Sequence, residues 1–312
     1  MRKKKSKKRR RIIRVMRSIV YLSIIITVGL LIAYKNMPKD VPKIEKVQVG
    51  SKVKMDNINS KKQLSDDSNK NTSNEINKVE SSNKINIGND GFDAGKVQDL
   101  LVKNTKIQDG KKIAFLTFDD GPSTTVTPKI LKILKDNNVK ATFFIVGKQL
   151  EESSKAKNIL LDTYNQGHAI ANHTYSHNYS KLYPHGTADI TTYMEEVEKT
   201  NNLLKSVIGE NFSTRVIRFP GGHASWKGTE GLDKILEEKS YKFIDWNALI
   251  GDAEGGNKTK EQLLARYHQT FTVQDKVVLL MHDTYGKEST ADALQDIITD
   301  LKNKGYEFKT LK

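Results

Sequence analysis

Two acidic residues, Asp119 and Asp120, close an apolar run and are followed at once by Gly121-Pro122-Ser123. Two carboxylates that a turn brings to one site can divide labour, one holding a cation and one acting as a base. The plainer alternative is an acidic pair that favours the N-terminus of the next helix through its dipole. Further along, His173 and His177 stand four apart in Asn172-His173-Thr174-Tyr175-Ser176-His177. That spacing lets two imidazoles meet on one turn and chelate a cation. A carboxylate with two histidines leaves coordination positions open for water and substrate, a donor set suited to Zn²⁺ and also to Fe²⁺, Co²⁺ or Ni²⁺. In Arg218-Phe219-Pro220-Gly221-Gly222 the arginine can grip a carboxylate in bidentate fashion, and the turn exposes N–H groups that could meet an oxyanion. A tight turn with a surface arginine would read the same way. His282 ends the apolar run Leu279-Leu280-Met281, where a lone histidine is more often structural. All seven histidines fall within residues 168–282, which raises its interest.

Each of these groups needs a strand end to carry it. Residues 113–118 read as a buried strand, as do 141–146, 168–172, 215–219, 241–246, 276–281 and 306–310. Helices are expected between them, at the apolar face of Ile130, Leu131, Ile133 and Leu134, over 148–166, 188–208, 232–239 and 260–271, and around Leu294, Ile297, Ile298 and Leu301 before Gly305. Alternation of β and α over this length predicts an α/β fold with a parallel sheet, open or closed as a barrel. In either form chemistry sits at the C-terminal ends of strands, where the motifs fall.

The rest of the chain has a different character. There is no cysteine, which excludes disulfides, thiolate metal sites and a cysteine nucleophile. The net charge of +15 points first to nucleic acid, but residues 1–17 alone carry eleven Lys and Arg and no acid. Residues 111–312 are nearly neutral, so no nucleic-acid partner is expected. Residues 18–34, SIVYLSIIITVGLLIAY, are uncharged and span about 26 Å as a helix, at the short end for a bilayer core. Arginines snorkelling at 14 and 17 extend that reach. The excess of positive charge before the run predicts a cytoplasmic N-terminus and an uncleaved transmembrane anchor, with everything beyond it extracellular. A cleaved signal peptide is the alternative, but no A-x-A pattern precedes Lys35. Residues 35–110, rich in Lys, Asn, Ser and Asp, read as a flexible linker, with Leu100, Leu101 and Val102 leading into the domain at 111–312.

Taken in order, TFDDGPS, NHTYSH, RFPGG and LLMHD resemble the motifs of the NodB-type polysaccharide deacetylases, family 4 of the carbohydrate esterases. The resemblance covers residues 111–312 and implies a distorted (β/α) barrel with fewer than eight complete units. By it, Asp119 is the catalytic base, and Asp120, His173 and His177 hold a divalent metal, Zn²⁺ first among the candidates. Arg218 orients the base, and the Gly221 N–H helps to hold the oxyanion. His282 is the general acid, and Leu280 lines the pocket for the acetyl methyl group. Position 221 is glycine where many relatives carry tyrosine, so an aromatic groove wall is missing there. The Asp that supports the catalytic histidine is assigned to Asp252, with Asp245 as rival. Ala253 stands where the family has tryptophan, and Trp246 is the candidate to supply that substrate-binding surface. Tyr175 and Trp226 are candidates to stack on sugar, against ordinary packing. His168 and His268 read as structural or surface groups, while His185 and His223 lie on loops near motifs.

The resemblance implies hydrolysis of an acetamide, with acetate and a free glucosamine as products. An anchored, tethered enzyme reaches only its own surroundings, so the expected partner is cell-wall peptidoglycan, acted on by a monomer. Chitin oligomers, an N-acetylglucosamine exopolysaccharide and O-acetylated xylan are the alternatives within enzymes. A non-catalytic glycan-binding wall protein is the alternative of another class.

Overall fold

The protein is described by a computed structural model over residues 91–312. The basic segment 1–17, the anchor 18–34 and most of the linker lie outside the described residues. Among the described residues no helix is long and apolar enough to cross a membrane.

Strand β1 (Gly91–Phe92) is followed by helix α1 (Ala94–Lys103) and by the long strand β2 (Ile113–Gly121). Helix α2 (Thr127–Asp136), β3 (Thr142–Ile145), α3 (Gly147–Glu152), α4 (Ser154–Asn165) and β4 (Ala169–Asn172) come next. The short α5 (Tyr179–Leu182) and long α6 (Ile190–Ile208) lead to β5 (Val216–Ile217), α7 (Glu230–Glu238), β6 (Lys242–Phe243) and β7 (Ala248–Leu249). The chain ends with α8 (Lys260–Thr270), β8 (Lys276–His282), α9 (Glu288–Asn303), β9 (Glu307–Phe308) and β10 (Thr310–Leu311).

The main sheet runs β6-β5-β4-β3-β2-β8-β7, with β9 on the start of β2, and all of its pairings are parallel. It is a curled half-barrel, consistent with the distorted barrel expected from the sequence. The strands of a parallel sheet covered on both faces are apolar throughout, and all seven residues of β8 are buried. Alternation then sorts side chains to the two faces. Ala114, Leu116 and Phe118 of β2 and Val277, Leu279 and Met281 of β8 join the helix-side core with Ile130, Leu134, Leu294 and Ile298. Ile113, Phe115 and Val278 belong to a second cluster inside the curl. Thr117, Asp119, Leu280 and His282 continue that inner row toward the C-terminal rim.

Three expectations need correction. The linker does not extend to residue 110. Phe92 and Val97 pack against Phe115 and Leu311, β1 pairs with β10, and Val97 is fully buried. Asp93 caps α1 by accepting from Gly95 and Lys96, a local signal for the helix that charge composition obscured. The expected helix over 148–166 is two helices. Ser153 is extended (φ −147°, ψ 115°) and its hydroxyl accepts from the Ala156 N–H, so it ends one helix and caps the next. The expected strand over 241–246 keeps only Lys242–Phe243 in the sheet, which frees Asp245 and Trp246 to face the rim.

Candidate active site

β2 delivers Asp119 on the inner face, 2% exposed. Its Oδ1 accepts from Arg218 Nη1 at 2.7 Å. Arg218 follows β5 and is fully buried beneath Phe144 and beside Trp246, 4.1 and 5.7 Å from their ring centres. The bidentate grip expected of this arginine is absent: only Nη1 reaches Asp119, and the other two nitrogens turn to backbone carbonyls. Nε donates to the Ile244 carbonyl at 2.7 Å, Nη2 to the Asp245 carbonyl at 3.1 Å, and Nη1 also to Thr117 Oγ1 at 2.9 Å. The guanidinium is thus a fixed strut, and a surface position is ruled out. Burial pushes the Asp119 carboxyl above its ordinary value, and the Arg218 charge only partly opposes this.

Asp120 would point away from Asp119 in a regular strand. It has φ +70° instead, and the register against β3 shifts between Asp119 and Gly121. That local twist turns both carboxylates to one side. Asp120 Oδ1 lies 3.5 Å from His173 Nε2 and 3.3 Å from His177 Nε2. His177 also adopts positive φ, at 52°, which brings the second imidazole back over the first. His173 Nδ1 donates to the Arg218 carbonyl at 2.9 Å, so its Nε2 carries the lone pair and faces the acid. Burial, with His177 nearby, holds His173 well below its ordinary pKa and keeps it neutral.

Asp120, His173 and His177 are the group among the described residues with ligand atoms close enough for one ion, all within 4.8 Å. Asp120 Oδ1 is buried and has no hydrogen-bond partner. An orphaned carboxylate oxygen facing two imidazole nitrogens fits a divalent cation, since buried polar atoms otherwise find partners.

His282 ends β8. Its Nδ1 lies 2.9 Å from Asp252 Oδ1, and its backbone N–H donates to Asp252 Oδ2 at 2.8 Å. Thr290 Oγ1 donates to the same Oδ2 at 2.8 Å. Burial by itself disfavours the imidazolium, but the Asp252 charge and hydrogen bond outweigh it and push His282 up to about 9. Burial likewise opposes the Asp252 carboxylate, and His282 overrides it to hold Asp252 below its ordinary value. The rival Asp245 takes no part in this pair: its Oδ1 accepts from the His223 N–H at 3.1 Å. Gly221 has φ +80°, and its N–H meets no hydrogen-bond acceptor among the described residues. Leu280 is buried one inner position below His282. Trp246 is half-buried, stacked near Arg218 and close over Gly222.

The remaining histidines separate clearly. His168 is buried, accepts from the Ala141 N–H at 3.2 Å, and burial brings it down to about 3. His223 pairs with Asp233 at 2.9 Å and stacks on Phe243. Tyr175 bonds Glu151 and lies under Lys199. Sequence reasoning passed over Asp283. It is fully buried, accepts from Thr127 Oγ1 at 2.6 Å, and burial pushes it up to about 7. Its carboxyl lies against Gly121, where any added Cβ would collide with it. Tyr179 was also passed over, although an aromatic two residues after His177 was a legible signal.

The chain's residues 106–241 match the family described as polysaccharide deacetylase. Two peptidoglycan-N-acetylglucosamine deacetylases of Bacillus cereus are each 34% identical to it, over 204 and 206 residues. The matches span 63% and 64% of this chain and 66% and 69% of those relatives. Among solved structures, a CE4 esterase of Streptococcus mutans superimposes with a TM-score of 0.65 at 38% identity, covering 71% of this chain and 92% of that one. Motifs, fold and relatives agree: the chain belongs to the polysaccharide deacetylase family of hydrolytic deacetylases.

Proposed function

We propose that the protein removes acetyl groups from N-acetylglucosamine residues of cell-wall peptidoglycan by metal-dependent hydrolysis, releasing acetate. The observation that carries the chemistry is the pairing of Asp119 with Arg218 and of His282 with Asp252 beside one Asp-His-His cluster. The B. cereus relatives support the polymer.

Asp120, His173 and His177 would hold the cation, whose contribution when bound is to polarise the acetamide carbonyl and acidify water. Asp119 then acts as the base. Its raised pKa brings it closer to the operating pH, which suits proton abstraction, and Arg218 keeps its Oδ1 engaged so that Oδ2 faces the site. The free Gly221 N–H can donate to the oxygen that becomes negative as the carbonyl carbon turns tetrahedral. His282, held protonated by Asp252, donates to the departing amine, which is a poor leaving group without that proton. Leu280 lies on the inner row beside His282 and offers an apolar contact for the acetyl methyl. The C–N bond breaks, acetate keeps the water oxygen, and the amine leaves on the sugar.

The reading extends to topology. Residues 18–34 would anchor the chain, with residues 1–17 cytoplasmic and the catalytic domain facing the wall, on the strength of the charge asymmetry. Membrane fractionation and protease accessibility of intact cells test that part. For the activity, N-acetylated peptidoglycan and chitin oligomers are incubated with the protein, with and without Zn²⁺, and acetate is quantified. Release from peptidoglycan, lost on chelation, is expected. Release from chitin oligomers alone would move the substrate away from the wall. No release from either, with metal bound, would overturn the reading.

A further inference from the structure

We infer that Tyr179, backed by Trp226 and Tyr183, is a platform for the flat face of a pyranose ring, standing in the space that a side chain at position 221 would otherwise occupy. This rests on the deacetylase reading for the identity of the sugar. Five large apolar side chains are exposed among the described residues, and only two, Tyr179 and Tyr285, are aromatic. Both follow site motifs, two residues after His177 and three after His282. Tyr179 is 45% exposed at the start of α5, while the ring behind it, Tyr183, is 2% exposed.

The platform is built rigidly. Trp226 stacks on Tyr183 with ring centres 3.9 Å apart and planes 8° from parallel, and its Nε1 donates to the Pro220 carbonyl at 2.8 Å. Tyr179 meets the Trp226 ring edge to face at 5.1 Å and the His177 ring at 5.3 Å. A Cβ added at Gly221 would fall 3.1 Å from Trp226 Cζ2 and 3.2 Å from Tyr179 Oη. The two rings therefore fill the volume above Gly221, and that glycine lets them approach the oxyanion-facing turn. A half-exposed aromatic face matches the face of a pyranose, which presents C–H groups there. Packing alone does not account for Tyr179, since the helix it opens is capped by Asn178 and closed on the core by Leu182.

The test compares the full chain with Tyr179→Leu and Tyr179→Phe. Binding of an N-acetylglucosamine tetramer is measured under chelation by tryptophan fluorescence, and acetate release from the tetramer is measured with Zn²⁺. Thermal melts check that the variants fold. Tyr179→Leu should weaken tetramer binding and raise KM by about tenfold with kcat little changed, and Tyr179→Phe should stay within about twofold of the parent. Binding by Tyr179→Leu within about twofold of the parent overturns the platform, as does an equal loss in Tyr179→Phe, which would assign the effect to the hydroxyl. A parent that binds the tetramer through Tyr179 yet releases no acetate would sink the deacetylase reading and leave the platform standing.

Discussion

Asp119 and His282 are register partners on the adjacent parallel strands β2 and β8, so two titratable groups stand at the same height on the inner face of the sheet. Their second contacts differ. Asp119 rests on the Arg218 cation, and His282 rests on the Asp252 anion. Opposite partners favour an ionised acid at one position and a protonated imidazole at the other, which is the separation a base and an acid need.

Asp119→Asn keeps the shape of the Arg218 contact and removes the proposed base. Acetate release is expected to fall by about 10²–10⁴-fold. Metal content measured after dialysis against Zn²⁺ should be retained, because Asp119 is not one of the three clustered ligand groups. Loss of metal together with activity would assign Asp119 to the cation site instead.

Asp252→Asn removes the charge that sustains the His282 imidazolium. In the parent, kcat/KM should fall on the alkaline side near the His282 value of about 9. In the variant that limb should move toward neutral pH. Stability follows the same group. Its folded pKa lies above the ordinary 6.5, so its contribution is complete below pH 6.5 and fades as pH rises through about 9. Denaturant midpoints measured across that window should decline in the parent and change less in Asp252→Asn.

Arg218→Met leaves the buried Asp119 without its cation and empties the bonds to Thr117, Ile244 and Asp245. A loss of about 3–5 kcal/mol in unfolding free energy is expected from denaturant titration, well beyond an exposed arginine's effect. Arg218→Lys should recover little, since one ammonium cannot reproduce the guanidinium's fixed fork.

On the proposed reading, His173→Ala and His177→Ala each remove one of three cation ligands. Zn²⁺ affinity, followed by competition with a chromophoric chelator, should drop by at least about a hundredfold in each. His168→Ala should leave the affinity unchanged, because that ring is packed on Phe143 and bonded to the Ala141 N–H.

Shortening the chain to begin at residue 111 removes β1 and α1, with Ala94 and Val97 from the core. The cost should be at least about 2–3 kcal/mol, the worth of burying a single large apolar side chain. A chain beginning at residue 91 should melt at a visibly higher temperature than the one beginning at 111.

The motif residues were legible because each is local. TFDDGPS, NHTYSH, RFPGG and LLMHD lie at strand ends that apolar runs mark out, and the alternation of β and α sets the fold class. An Asp-His-His cation set follows from residue type and spacing, while the choice of Asp119 as base follows from the resemblance of the motifs. What spacing does not encode is partnership across the chain. The resemblance favoured Asp252 over Asp245 for His282, and only the folded sheet shows the contact that makes it so. Only it turned Arg218 toward the Ile244 and Asp245 carbonyls and the Thr117 hydroxyl, with one N–H on Asp119. It also placed Tyr179 and Trp226 above Gly221, joining three segments where position 221 alone reads as a missing wall. Those outcomes depend on which strand ends adjoin and on backbone turns such as φ +70° at Asp120. Such choices are settled by the packing of distant segments, whereas a strand or helix is settled by the pattern of its own residues.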